Sequence, residues 1–318
     1  MTAKTCWVLT LGVPGMDNQS LGLAQALGLE ITQKRIVPTA PWKHLPPQFW
    51  INPLRFLGAG SDAIVAPWPD VVIGTGRMTV AVARAIKRAS GGKTFSVRIQ
   101  DPKTAYDEFD VIITPQHDTL NRPNVIHTMG GLHTITAERV RQAGERFAPQ
   151  FAHLPRPLVA VLVGGSNKCY RMTPEIGHQL GERLATLAKT TGAGILLTPS
   201  RRTGAEVEAA IRDGLADTPA YVWDGGGENP YLAFLALADA IVTTVDSVNM
   251  VSEACTSGKP VFVVDLDGGS AKFRRFHDAM HSRGYTRPFT GVLERWEYAP
   301  LDDVGMVAQE VQKRLSER

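Results

Sequence analysis

Nearly continuous apolar strands, each followed by a helix, recur in both halves of the chain, and few folds accommodate that alternation. In the second half, strands are expected over Leu158–Val163, Gly194–Thr198, Ala220–Val222, Ala240–Thr244 and Val261–Asp265. Helices are expected between them over Pro174–Thr190, Thr203–Gly214, Tyr231–Ala236 and Val248–Ser257. The first half has the same order: strand Cys6–Gly12, helix Gln19–Leu27, strand Asp70–Ile73, helix Met78–Ala89, then β-rich runs Thr94–Ile99 and Val111–Thr114. Strands without an alternating polar face belong in parallel sheets covered by helices on both sides. The expected class is α/β, with two Rossmann-like domains whose parallel sheets face each other across a cleft. Ala148–Pro157, with three prolines, is the expected linker between domains 1–150 and 151–301. The helical tail Asp302–Leu315 is expected to pack back on the first domain.

At 318 residues the chain exceeds one typical core. Hydrophobic content of 43% with 20% charged residues is that of a soluble protein. Three scattered cysteines, Cys6, Cys169 and Cys255, form no CxxC pair, which argues against a disulfide framework or a zinc site. The N-terminus shows no charged segment followed by a long apolar one, and no apolar run approaches the ~18 residues that span a bilayer. A cytoplasmic protein is expected, with peripheral attachment to the inner membrane as a variant. Residues 1–150 carry 16 Lys and Arg against 11 Asp and Glu, whereas 151–318 carry 18 against 20. A mildly basic first half suits an anionic partner such as a lipid headgroup or a phosphorylated substrate. No basic helix, zinc-finger spacing or aromatic RNA-binding motif supports nucleic acid.

Ligands of open α/β sheets sit at the carboxyl ends of the strands, so the loops there carry the chemistry. The polar loop Val245–Ser247 precedes a helix that Asp246 or Ser247 could cap, and such a helix start suits phosphate. Glu253 lies four residues beyond Asn249 on one helix face, about 6 Å along it. That is roughly a phosphate-to-ribose step, and a solvated glutamate on an ordinary helix is the alternative. Gly164-Gly165-Ser166-Asn167-Lys168 is either a phosphate loop or a plain tight turn. It lacks the GxxxxGK[ST] spacing of nucleoside-triphosphatases. Thr198–Thr203 ends a strand with two arginines, of which Arg201 is favoured to meet phosphate. Asn229-Pro230-Tyr231 could offer an amide or a ring to a base, or simply start a helix.

In the first half, Asp17 follows a glycine-containing loop and reads as a helix cap or as a general base. The loop is not GxGxxG, so NAD is unsupported. Arg77 in Gly74-Thr75-Gly76-Arg77 could contact a substrate phosphate or carboxylate. His117 and Asp118 end another strand, as a catalytic pair or a polar network. Trp42–Leu57 mixes aromatics with Lys43, His44 and Arg55, and is either core filler or an interfacial membrane patch. No HExxH motif, paired histidine ligands or carboxylate cluster indicates a catalytic metal.

Taken in order, GxxxxDNQSLGLAQALG (12–28), GTGRMTVAVARAIKR (74–88), IQDP (99–102), PQHD (115–118), GGSNK (164–168), TPSRRT (198–203), ENPY (228–231) and DSVNMVSEACTSGKPV (246–261) form a set. The set resembles the bacterial relatives of the plant mitochondrial-fission "elongated mitochondria" factor, within the wider architecture of GT-B glycosyltransferases and sugar-nucleotide epimerases. The resemblance implies a nucleotide-sugar donor, UDP-linked, in the second domain. Glu253 would hold the ribose; Ser247, Val248 and Asn249 would lie at the phosphates; Gly165, Ser166, Asn167, Ser200, Arg201 and Asn229 would complete the site. The acceptor would lie on the first domain near Gly15, Arg77 and Asp101. Asp17 occupies the position of the base, often histidine in such enzymes, with His117 and Asp118 as competitors. The implied activity is sugar transfer to a hydroxyl of a cell-envelope lipid or glycan, without a metal or other cofactor. An epimerase or hydrolase of the same fold, and a non-catalytic membrane adaptor, are the alternatives.

Overall fold

The computed structural model describes residues 4–318; Met1–Ala3, at the head of the segment read for a leader, lie outside the described residues. Two compact units emerge. The first ends at Thr134 and takes back Asp302–Arg318, and the second is Ile135–Leu301.

The first unit runs β1 (Thr5–Thr10), α1 (Pro14–Ala26), β2 (Glu30–Arg35), β3 (Val71–Thr75), α2 (Thr79–Ala89), β4 (Phe95–Ile99), β5 (Val111–Pro115) and β6 (Val125–Thr128). The second runs α3 (Ala137–Phe151), β7 (Leu158–Val163), β8 (Tyr170–Arg171), α4 (Pro174–Thr191), β9 (Gly194–Pro199), α5 (Ala205–Gly214), β10 (Ala220–Val222), α6 (Tyr231–Leu237), β11 (Ala240–Thr244), α7 (Val248–Cys255), β12 (Val261–Val264), β13 (Asp267–Gly268), α8 (Ala271–Ser282) and β14 (Thr286–Pro288). Helix α9 (Asp303–Ser316) returns to the first unit.

The sheets are ordered β2-β1-β3-β4-β5-β6 and β10-β9-β7-β11-β12-β14. Every strand pair in both is parallel. Central strands such as β3, β7 and β11 are buried along their whole length, which is why they read as unbroken apolar runs. Strand β2 is polar and mostly exposed; its pairing with β1 from Thr5↔Glu30 to Thr10↔Arg35 makes it a strand, not its hydropathy. In each sheet the strand order reverses once, between β1 and β3 and between β7 and β11. Those two switch points define where ligands of such sheets bind.

The proposed linker Ala148–Pro157 and a boundary at residue 150 are corrected. Ala148–Phe151 is the last turn of α3, despite Pro149, and α3 belongs to the second unit. Phe151 is the reason: it is buried, with ring centroids 4.9 Å from Tyr221 and 5.5 Å from Phe234. That aromatic packing outweighs the hydrogen bond that Pro149 removes. The division falls at Thr134 instead. Helix α9 is fixed to the first unit by Asp303, whose carboxylate accepts from the Met129 and Gly130 N–H groups at 2.9 and 2.7 Å. Val307 and Val311 share a core with Leu23 and Leu27 of α1.

Candidate functional site

At the switch point of the second sheet, the loops after β7, β9 and β11 close on one carboxylate. Asp246 leaves the end of β11 with a fully buried side chain. One oxygen accepts from the Thr244 hydroxyl at 2.6 Å. The other accepts from the Gly165 N–H at 3.1 Å and from Arg202 Nη2 at 2.7 Å. Thr244 Oγ1 in turn accepts from the Gly164 N–H at 2.8 Å. The glycines are required by this approach. A Cβ on Gly164 would stand 2.1 Å from Asp246 Oδ1, and one on Gly165 would stand 2.1 Å from the Arg202 carbonyl oxygen. The buried charge is thus both paired and hydrogen-bonded, the condition under which a carboxylate is tolerated out of water.

Helix α7 starts beside this hub. Ser247 is its cap, accepting from the Met250 N–H at 3.3 Å, and Asp246 is left free to fold underneath. Several polar side chains assigned to the ligand instead brace the loops. Ser166 Oγ bonds both the N–H and the carbonyl of Met172. Asn167 accepts from the Cys169 and Tyr170 N–H groups and donates to the Asp246 carbonyl. Ser200 donates to the Gly164 carbonyl at 2.9 Å. Asn229 accepts from the Tyr231 N–H at 3.0 Å ahead of α6. The contribution of Gly165, Ser166, Asn167 and Ser200 to a ligand would therefore come through backbone and loop shape. Both arginines are exposed; Arg202 reaches in to pair with Asp246, and Arg201 has no ion pair among the described residues.

Further along α7, Glu253 accepts from the Tyr231 hydroxyl at 2.6 Å. Burial pushes its carboxyl up to about 7, with Tyr231 pulling back only in part. His277 of α8 completes the surroundings: Nε2 lies 2.8 Å from the Val245 carbonyl oxygen, so it donates, and burial holds the ring below its usual pKa. Val248 and Asn249 sit partly buried in the first turn of α7.

In the first unit, the candidate residues also stand at the carboxyl ends of strands, in two neighbourhoods. Asp17 is not the helix cap: that position is Val13, and Asp17 lies in the first turn of α1. Its Oδ1 accepts from the Leu11 N–H at 3.3 Å. Gly15 is exposed in the same turn. The loop after β3 packs on this turn, since a Cβ on Gly76 would meet Met16 Sδ at 2.7 Å. Arg77 there donates to the Lys43 carbonyl at 2.9 Å and so ties the loop to the Trp42–Leu57 excursion. The second neighbourhood follows β4 and β5. Asp101 accepts from Lys103 N and Nζ at 2.8 and 2.7 Å. Burial acts to raise its pKa, but the Lys103 bonds prevail and hold it below the usual carboxylate range. Lys103 also feels the charge of Asp118. Buried His117 shares a single 3-10 turn with Asp118. Gln100, Lys103 and Ala105 all adopt left-handed φ values, an accumulation of backbone strain in one loop.

Three features escape a reading of the sequence alone. They are Asp246 as a hub, the Tyr231 partner of Glu253, and Arg98. Arg98 is 2% exposed within β4 and donates to the Gly74 and Gly76 carbonyls at 3.1 and 3.0 Å and to Thr79 Oγ1 at 2.9 Å. Burial lowers its pKa to about 9, against the opposing charge of Asp101. A charged residue inside the apolar run FSVRI was the available signal for it.

Two α/β units with parallel six-stranded sheets and loops gathered at each switch point define the GT-B class of fold. Solved structures agree: the UDP-GlcNAc 2-epimerase of Methanocaldococcus jannaschii in complex with UDP-GlcNAc and UDP matches at 13% identity over 100% of both chains, with a TM-score of 0.57. MurG of Acinetobacter baumannii matches at 14% identity over 99% of this chain and 92% of its own, with a TM-score of 0.51. Within that class, the profile of the Mitochondrial fission ELM1 family matches residues 14–315, and the chain belongs to this family. The mitochondrial fission protein ELM1 of Arabidopsis thaliana is 31% identical over 98% of this chain and 91% of its own length.

Proposed function

We propose that the protein is a glycosyltransferase moving a sugar from a nucleoside-diphosphate donor, UDP-linked, to a hydroxyl of a cell-envelope lipid or glycan. The observation that carries this is the pairing, on one switch point, of the Asp246-braced Gly164–Gly165 loop with Glu253 one turn along α7. The diphosphate would meet the N-terminus of α7, the Gly165 loop and Arg201, whose guanidinium no carboxylate among the described residues holds. Glu253 would accept from ribose hydroxyls. The acceptor oxygen would form a bond to the anomeric carbon as the bond to the diphosphate breaks, and Asp17 would take the acceptor proton, with the His117–Asp118 pair as the other base. No cofactor beyond the donor enters this reading. The Trp42–Leu57 excursion, with Phe49 and Ile51 exposed, would place the acceptor side at a membrane surface.

A second reading, a non-catalytic adaptor, is favoured by the name of the Arabidopsis relative. An epimerase or hydrolase would consume donor without any acceptor. Calorimetric titration with UDP tests the donor site: micromolar or tighter binding, lost in Glu253→Ala, is expected. Absence of binding by any nucleoside diphosphate would favour the adaptor. No helix among the described residues is long and apolar enough to cross a membrane.

A further inference from the structure

A groove of about 660 Å³ opens in the first unit between α2 and residues 47–55, and none of its lining residues belongs to the switch-point loops. Trp50, Leu54 and Ala85 give it an apolar floor, and Arg55, Arg84 and Arg88 give it a basic wall. The wall is under-neutralised. Arg84 and Arg88 share the single carboxylate of Glu108, at 2.6 and 2.8 Å, and Arg55 is exposed with no ion pair among the described residues. Arg84 Nε is buried with no acceptor among the described residues, so it adds charge to the wall, and the donors facing the groove come from Arg55 and Arg88. Beside the groove, Phe49 and Ile51 are 60% and 68% exposed. Large apolar side chains held in water next to spare guanidinium donors match a partner with an acyl region and an anionic head. Phosphate alone would leave the apolar residues uncovered.

We propose that this groove receives the phosphate headgroup of an anionic phospholipid while Phe49 and Ile51 enter the interfacial layer of the bilayer. The inference builds on the membrane contact suggested above and adds a charge-selective headgroup site from α2, outside the Trp42–Leu57 excursion. Each arginine near an anionic surface contributes enough to shift partitioning several-fold, and salt weakens it.

Cosedimentation with phosphatidylcholine vesicles, with and without roughly one-third phosphatidylglycerol, tests it. Binding is expected only with phosphatidylglycerol and should fall with salt. Arg55→Glu, an exposed position with no bond to lose, is expected to cut binding about tenfold. Ile51→Glu should do the same through the apolar contact. Lys189→Glu, exposed on α4, makes the same change in net charge and should leave binding intact. Equal binding to both vesicle types, or equal effects of Arg55→Glu and Lys189→Glu, would remove the headgroup site while leaving an apolar membrane contact. Loss of binding to every vesicle would remove both, and the UDP titration would still report separately on the donor site.

Discussion

The two switch points are each built over one buried ion, and the ions have opposite signs. Under the Gly164–Gly165 loop, Asp246 gathers donors: an N–H, a hydroxyl and a guanidinium. Under the Gly74–Gly76 loop, Arg98 gathers acceptors: the Gly74, Gly76 and Gln100 carbonyls and the Thr79 hydroxyl oxygen. The difference extends to what surrounds them. Around Asp246, the side chains of Asn167, Ser200 and Thr203 are spent on cross-loop bonds and Ser166 on bonds within its own loop, so the second-unit rim is braced. Around Arg98, the rim includes exposed Gly12–Gly15 and a loop with three left-handed residues, and Asp17 is held by one long bond. A braced rim suits a ligand of constant chemistry such as a nucleoside diphosphate. A looser rim suits an acceptor.

If that contrast is right, removing Asp246 does the greater damage. Asp246→Ala is expected to cost about 3–5 kcal/mol, because it leaves Gly165 N–H and the Thr244 hydroxyl unpaired in a dry site and frees Arg202. Urea denaturation measures this, and UDP binding should vanish with it. Arg98→Met should cost about 2 kcal/mol: it takes a donor from the Gly74, Gly76 and Gln100 carbonyls, of which Gly76 keeps the Thr79 N–H and hydroxyl, and it also relieves the desolvation that lowers the Arg98 pKa. A larger loss for Arg98→Met than for Asp246→Ala would overturn the contrast.

Much of this architecture was visible before any coordinates. Leu158–Val163 and Ala240–Thr244 have the predicted bounds, because strands buried on both faces leave no ambiguity of period; the half-buried edge strand Ala220–Val222 has its predicted bounds as well. Polar β2, proline-containing α3 and charged α8 were not legible, since each is defined by what it packs against. Glu253 stood out because a carboxylate four residues beyond Asn249, on a helix that follows a polar loop, is a local pattern. Asp246 did not, because a helix cap and a buried hub share the same local pattern. What separates them is Gly165, 81 residues earlier in the chain.

Glu253 offers a pH test of the braced rim. Its folded pKa, near 7, lies above the ordinary 4.5, so the fold favours the neutral carboxyl. That contribution to stability is complete below pH 4.5 and is lost as pH rises through 7. Glu253→Gln should therefore match the parent protein near pH 5 and exceed it by about 2 kcal/mol near pH 8.5, partial exposure having been allowed for. Affinity for UDP should run the other way. The parent binds more tightly as Glu253 ionises, and the glutamine variant shows no such rise. Parallel pH profiles for the two proteins would mean that Glu253 does not touch the ligand.

The smallest effect on stability is expected within the adjacent arginines, and it sharpens the comparison most finely. Arg202 is half of a pair whose other half is fully buried, so Arg202→Ala strands a charge and should lower stability by about 1–2 kcal/mol. Arg201 is exposed and unpaired, so Arg201→Ala should change stability by less than about 0.5 kcal/mol. If the rim is a diphosphate site, the order reverses for the ligand. Arg201 is the guanidinium with donors to spare, and its loss should weaken UDP by roughly tenfold, as for a charge-assisted bond. Uridine, lacking phosphates, should bind the parent and the Arg201→Ala protein equally. An Arg201→Ala protein with unchanged UDP affinity would leave the loop braced but without a cation for the phosphates, and the anion would have to be held by α7 and the Gly165 backbone alone.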